Sequence, residues 1–450
     1  MTEESKDDNV YVVGMGKMTT EQAAHFLQME STAGWEIEFL SDLQNLQYLR
    51  FDKFSYGLPV LKLTANPLEG KLDGFGIRGS PPKTFPGTYQ LYPKKIIDGG
   101  PDGLIVRYRI LDTAVVWTIK IELLKVTQDS SGANVIQDSS ETSVINHLTT
   151  NKIQCGQIYA YPIGKTKIVE ILNIRKEIWV NFSRLETMQG DLSQKDAAGG
   201  LEVISLAKRN YNGPEKTEDL KAVEAALCIV EEVRRQIVCL LKSTNYEGVY
   251  ADLKAANVLF KQTVENQLEV KVGDLGSINP IYNFDDLNIG VHDLGVPLRT
   301  GGIYTATAPC YPRNQQGNTV TLTTDEQKEQ CLAWQLGVLM AQLLGINVQQ
   351  LYYGHDQLVS TVGVIQEQII KKIQAALPEN LQGIIIPAEY AAYLNLNPDK
   401  RPSVLYPLPK LTDGACNNYV RMSNLPAPAP RHDGIGRGWA MTHHGVLYER

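Results

Sequence analysis

Asp252, Lys254 and Asn257 lie within six positions of one another in Tyr250-Ala251-Asp252-Leu253-Lys254-Ala255-Ala256-Asn257-Val258-Leu259-Phe260. Asp274 follows in Val270-Lys271-Val272-Gly273-Asp274-Leu275-Gly276. The four side chains are a carboxylate, an ammonium, a carboxamide and a second carboxylate. One carboxylate can orient an attacking hydroxyl and the ammonium can neutralise a phosphoryl group. The carboxamide and the other carboxylate offer hard oxygen ligands to a divalent cation. Phosphoryl transfer from ATP with Mg²⁺ needs these parts.

Positioning such groups takes strands and buried helices. Asp252, Lys254 and Asn257 share one loop that runs into an apolar strand, and a second apolar run at hairpin distance delivers Asp274. Upstream, Leu104–Ile110 and Ala114–Ile121 are β-rich runs around Asp112-Thr113, which predicts a hairpin. Ahead of it, Gly99, Gly100 and Gly103 stand where a strand-turn-strand brings backbone N–H groups close to phosphate oxygens, an approach that a Cβ would obstruct. Gly74-Phe75-Gly76-Ile77-Arg78-Gly79 fits G-x-G-x-x-G better as a string, but Pro81 and Pro82 prevent a strand directly after it, so it reads as a turn.

A polar loop from Gln128 to Ser140 leads to a helical pattern in which Glu141 precedes inward-facing apolar positions. Glu141 admits two readings: a partner for a strand lysine, or an acidic residue favoured at a helix N-terminus. From Asp219 to Leu241 apolar residues recur at helical spacing, and Glu326 to Leu344 is a second helix, nearly apolar all round in its later half and therefore buried. Leu425-Pro426-Ala427-Pro428-Ala429-Pro430 and the glycines beyond it read as a linker and tail.

Composition bounds the function. The 450 residues carry a formal net charge of −7, which argues against a nucleic-acid binder working through a broadly basic surface. No apolar run approaches the roughly 18 residues needed to span a bilayer. Residues 1–8 are acidic and polar, unlike a signal peptide. Six scattered cysteines without a C-x-x-C pair read as reduced thiols in a cytoplasmic or nuclear setting, and a zinc site is not expected.

Taken in order, these segments resemble the eukaryotic-type protein kinases from about residue 95 to 410. Val116-Trp117-Thr118-Ile119-Lys120 is similar to the V-A-I-K motif, and Lys120 lies seventeen residues beyond Gly103, as in that family. Leu185 to Leu192 resembles the hinge, Ala333 to Gly345 the central helix, and Leu394 to Ser403 the late L-x-x-D-P-x-x-R-P signature. The resemblance implies an α+β, two-lobed kinase-like fold, with a small β-rich N-lobe (91–187), a larger, mostly helical C-lobe (188–410), an N-terminal extension (1–90) and a C-terminal tail (411–450). It implies ATP and Mg²⁺ as cofactors and a protein substrate phosphorylated on Ser or Thr. Asp252 would be the catalytic base and Lys254 the cation at the transferring group. Lys120, held by Glu141, would meet the phosphates together with Gly99, Gly100 and Gly103. Glu186 and Met188 would meet the adenine edge, with Leu185 guarding the pocket behind it. Asn257 and Asp274 would hold the metal.

Departures from the family concern scaffolding and regulation. Tyr250-Ala251 replaces His-Arg, Leu275 replaces Phe, and Leu332 stands in place of a helix aspartate that anchors the catalytic loop. Ala308-Pro309-Cys310 or Tyr311-Pro312-Arg313 stands where Ala-Pro-Glu is expected, which removes the usual acidic partner of Arg401. Two alternatives stay open: a pseudokinase acting as a scaffold, with partners on the extension, and a kinase-like phosphotransferase for small molecules. The divergence would suit a viral source, which would add the virion to the candidate locations.

Overall fold

The computed structural model describes residues 9–12, 16–19, 30–31, 35–38, 48–51, 54–57, 60–64, 88–99, 103–110, 116–128, 130–132, 134–137, 140–151, 153–169, 177–243, 250, 253–263, 265–277, 287–290, 319–322, 324–348, 358–383, 385–412, 416–425, 440–441 and 447–448. They form a mixed α+β structure. Short strands come first: β1 (Asn9–Val12), β2 (Gly16–Thr19), β3 (Glu30–Ser31), β4 (Trp35–Glu38), β5 (Tyr48–Phe51), β6 (Phe54–Gly57) and β7 (Val60–Thr64). Longer ones follow: β8 (Thr88–Gly99), β9 (Gly103–Ile110), β10 (Val116–Gln128), β11 (Asn134–Gln137), β12 (Ala160–Val169) and β13 (Glu177–Leu185).

Nine of these strands build the largest sheet, in the order β3-β12-β13-β10-β9-β8-β7-β4, with β11 on the end of β10. β8 and β9 pair with Gly99 opposite Leu104. β9 and β10 form the expected hairpin, with Lys120 opposite Ile105. On its other side Lys120 is opposite Ser183 of β13. The expected loop from Gln128 to Ser140 contains β11, because Val135 and Ile136 pair with Thr127 and Val126 rather than remaining in a polar connection. Strands β3, β4 and β7, all from the first 90 residues, occupy the outer positions of this sheet.

Helix α1 (Ser140–Thr150) buries Val144, Ile145 and Leu148. The chain leaves β13 at Leu185 and enters a small sheet of β14 (Gly190–Asp191), β15 (Val258–Gln262) and β16 (Leu268–Val272). Around that sheet lie α2 (Glu202–Arg209), α3 (Glu218–Ser243), α4 (Asp325–Leu343) and α5 (Leu358–Ala376). The sequence patterns at 219–241 and 326–344 match α3 and α4 closely. α4 starts at a capping box, in which Thr324 accepts from the Gln327 backbone and Gln327 reaches back. Its later turns are buried on every side, with Trp334 and Leu336 at 0% exposure. Each such large apolar side chain contributes about 1.5–3 kcal/mol of burial energy.

Residues 404–412 and 416–425 run along α3. The Arg234 guanidinium donates to the Val404 carbonyl at 2.6 Å, and the Leu408 N–H to Glu231 at 3.0 Å. Thr412 and Tyr419 donate to the buried Glu224, and Ser423 Oγ donates to Glu232 at 2.5 Å. A disulfide joins Cys228 of α3 to Cys416, and another joins Cys155 to Cys239. The expectation of reduced thiols is corrected for these four residues. The partners are 84 and 188 positions apart, so nothing in their spacing marked them as pairs. Cys331 keeps a buried thiol. Among the described residues no helix is long and apolar enough to cross a membrane.

Candidate active site

Lys120 points from β10 toward α1, where its ammonium pairs with Glu141 in the first helical turn. Asp274 Oδ1 lies 4.0 Å from the same ammonium. The Asn257 carboxamide donates to Asp274 Oδ2 at 3.1 Å. Four residues from four separate elements therefore converge: a strand, a helix, a loop before β15 and the end of β16. Lys120 is only 18% exposed at its side chain and Glu141 4%, so this pair is held largely out of water.

Local backbone geometry aims each group. Lys254 caps the turn Ala255–Asn257 in extended conformation, and that turn leads directly into β15. The β15–β16 ladder ends as the Gly273 N–H donates to the Asn257 carbonyl at 2.8 Å, which fixes the two metal-ligand candidates side by side. A Cβ on Gly273 would meet that carbonyl at 3.3 Å and Leu259 at 3.2 Å, tighter than ordinary contact. Asp274 then adopts φ 45°, in the left-handed region. Such a backbone costs on the order of 1–3 kcal/mol and persists where surrounding structure determines it, commonly at functional sites.

Gln335, which the sequence motifs did not single out, and Tyr250, read there only as a departure, hold this corner together. Gln335, at 0% exposure in α4, donates to the Tyr250 carbonyl at 2.7 Å and accepts from the Leu253 N–H at 2.8 Å. It clamps the backbone on both sides of position 252, at Tyr250 and Leu253. A single polar residue inside the apolar run from Cys331 to Ala341 was the available signal. The Tyr250 hydroxyl donates to the Gly273 carbonyl at 2.5 Å, linking the catalytic-loop candidate to the residue before Asp274. Arg401 is seated by the carbonyls of Asn395 and Gln330 and lies 5.1 Å from the centre of the Trp334 ring.

The segment after β13 joins the two sheets. The Glu186 N–H donates to the Tyr159 carbonyl at 2.8 Å, and the Glu186 carboxylate accepts from Lys261 and Lys271. Leu185 and Met188 are buried, and Arg107 of β9 donates to the Met188 carbonyl at 3.2 Å. Gln189 N–H donates to the Phe260 carbonyl at 2.9 Å, starting the second sheet. Gly99 ends β8 and Gly103 begins β9. Gly100, Asp252, the Gly74–Gly79 string and both candidates for the Ala-Pro-Glu position lie outside the described residues.

The donor set suits a magnesium–nucleotide complex. Mg²⁺ is held in such sites by one or two protein oxygens, with phosphates and water completing its shell, and adjoining carboxylate and carboxamide groups at Asp274 and Asn257 fit that demand. No group of three or more His, Cys, Asp or Glu side chains able to hold a metal by themselves occurs among the described residues. No protein-family model matches the chain, and no curated protein matches it.

Proposed function

We propose that this protein is a divergent protein kinase, transferring the γ-phosphate of ATP to Ser or Thr hydroxyls of a protein substrate. The observation that carries the reading is the approach of Asp274 to within 4.0 Å of the Lys120–Glu141 pair, with Asn257 at its side. Those residues come from motifs that resemble the kinase nucleotide site, and their types suit its chemistry.

In this reading the two sheets form the walls of a two-lobed cleft joined at Glu186–Met188. Glu141 keeps Lys120 aimed, and the ammonium binds the phosphates through charge-assisted hydrogen bonds. Asn257 and Asp274 would hold Mg²⁺, which when bound neutralises charge between the phosphates. Asp252, on the loop that Gln335 clamps, orients the substrate hydroxyl and takes its proton, while Lys254 faces the transferring group. Binding at Gly99, Gly100 and Gly103 uses backbone N–H groups.

The test is transfer of labelled phosphate from ATP to generic protein substrates, with and without Mg²⁺, by the full chain and by Asp252→Ala. Transfer that needs Mg²⁺ and disappears in the variant supports the assignment. Nucleotide binding without transfer to any protein would turn the reading to a pseudokinase, and transfer confined to small molecules to the other alternative.

A further inference from the structure

A second buried glutamate faces Lys120. Glu122 lies two positions on in β10, hence on the same face of the sheet, with Oε1 3.3 Å from the ammonium. It is 7% exposed, and its other oxygen accepts from Thr142 Oγ1 of α1 at 3.4 Å. Asn181, directly opposite Glu122 on β13, donates to the same Thr142 hydroxyl at 2.7 Å. A polar chain thus runs from β13 through α1 to Glu122 and on to Lys120. It places three carboxylates, Glu122, Glu141 and Asp274, around one ammonium.

Among the described residues three carboxylates lie within 4.0 Å of this one ammonium, those of Glu122 and Glu141 buried and that of Asp274 partly open to water. A triphosphate arriving alone would add to the negative charge, whereas one accompanied by a divalent cation would cancel much of it. Glu122 also offers Lys120 a competing partner on its own strand. We propose that Glu122 is a positioning residue that holds Lys120 in a resting pair and makes nucleotide binding depend on an accompanying divalent cation.

This inference rests on the nucleotide-site reading above and is separable from it. The Glu122→Gln substitution removes one charge while keeping an oxygen that can accept from Thr142. Binding of ATP to the full chain is measured by calorimetry, once in chelator and once with Mg²⁺. In the variant, affinity for metal-free ATP should rise about tenfold, with affinity for the magnesium complex changing by less than about threefold. Glu122→Asp, which keeps the charge, should retain the weak metal-free binding. Glu122→Met supplies a second neutral comparison, and the melting transition of each variant is recorded alongside. If the wild-type chain binds ATP but the ratio of the two affinities is the same in the neutral variants, the role of Glu122 is refuted while the nucleotide site stands. If the wild-type chain binds ATP under neither condition, both readings fall.

Discussion

Lys120 and Gln335 do different work at the same site. Lys120 contributes charge, so Lys120→Met should reduce phosphate transfer at least about a hundredfold, measured as initial rate at saturating ATP under conditions where the variant is folded. It should also lower stability, because Glu122 and Glu141 lose their buried partner. Gln335 contributes shape, because it satisfies two buried backbone groups on either side of Asp252. Gln335→Leu would leave both unsatisfied and should cost about 2–5 kcal/mol in urea unfolding. Activity should fall in the same variant even under conditions where it remains folded, since the loop backbone loses its anchor. Of these two residues only Lys120 was legible in the sequence. Its motif is local and ordered, whereas the work of Gln335 depends on a loop more than eighty positions away.

Between the single residue and the whole chain, the segments 404–412 and 416–425 on α3 show how one element supports another. α3 presents Glu224, Glu231 and Glu232 to those segments, and the same helix reaches β16 as Gln236 donates to the Val270 carbonyl at 2.7 Å and accepts from the Val272 N–H at 2.9 Å. Glu232 has its pKa raised above the ordinary 4.5 by burial, against hydrogen bonds from Gln236 and Ser423 and the charge of Arg235. The folded protein therefore holds this proton more tightly than the unfolded chain does. Its contribution to stability is complete below about pH 4.5 and declines as pH rises through the raised value. The melting temperature of the wild type relative to Glu232→Gln should accordingly fall between pH 4.5 and neutrality. A difference that stays flat across that range would contradict the assignment. A second element-level test concerns Gly337 in α4, where a Cβ would meet Leu394 and Tyr393 at 2.9 Å. Gly337→Ala should destabilise by about 1–3 kcal/mol through overpacking, seen in the same unfolding assay.

Across the whole molecule, the Cys228–Cys416 disulfide closes the longest covalent loop, 188 positions, and fastens the late segment to the helix behind the candidate site. Replacing both cysteines by serine should lower the unfolding free energy by about 2–5 kcal/mol. Loss of the late segment's protection in hydrogen exchange should accompany it, because Thr412, Tyr419 and Ser423 would then be held by hydrogen bonds without the cross-link. Unchanged stability after removal of both thiols would show that the bond contributes nothing to the fold.

Local chemistry is legible in the amino-acid order alone. Turn residues between β-branched runs marked the hairpin of β9 and β10, and apolar periodicity marked α3 and α4, because both signals come from neighbours in the chain. The types of Lys120, Glu141, Asn257 and Asp274 named the chemistry they suit. Only the tertiary structure brought Lys120 to Asp274 across 154 positions, paired the distant cysteines and gave Gln335 its two backbone partners. Contacts of that kind arise when separate elements bury their apolar faces together, and no spacing along the sequence records which faces will meet.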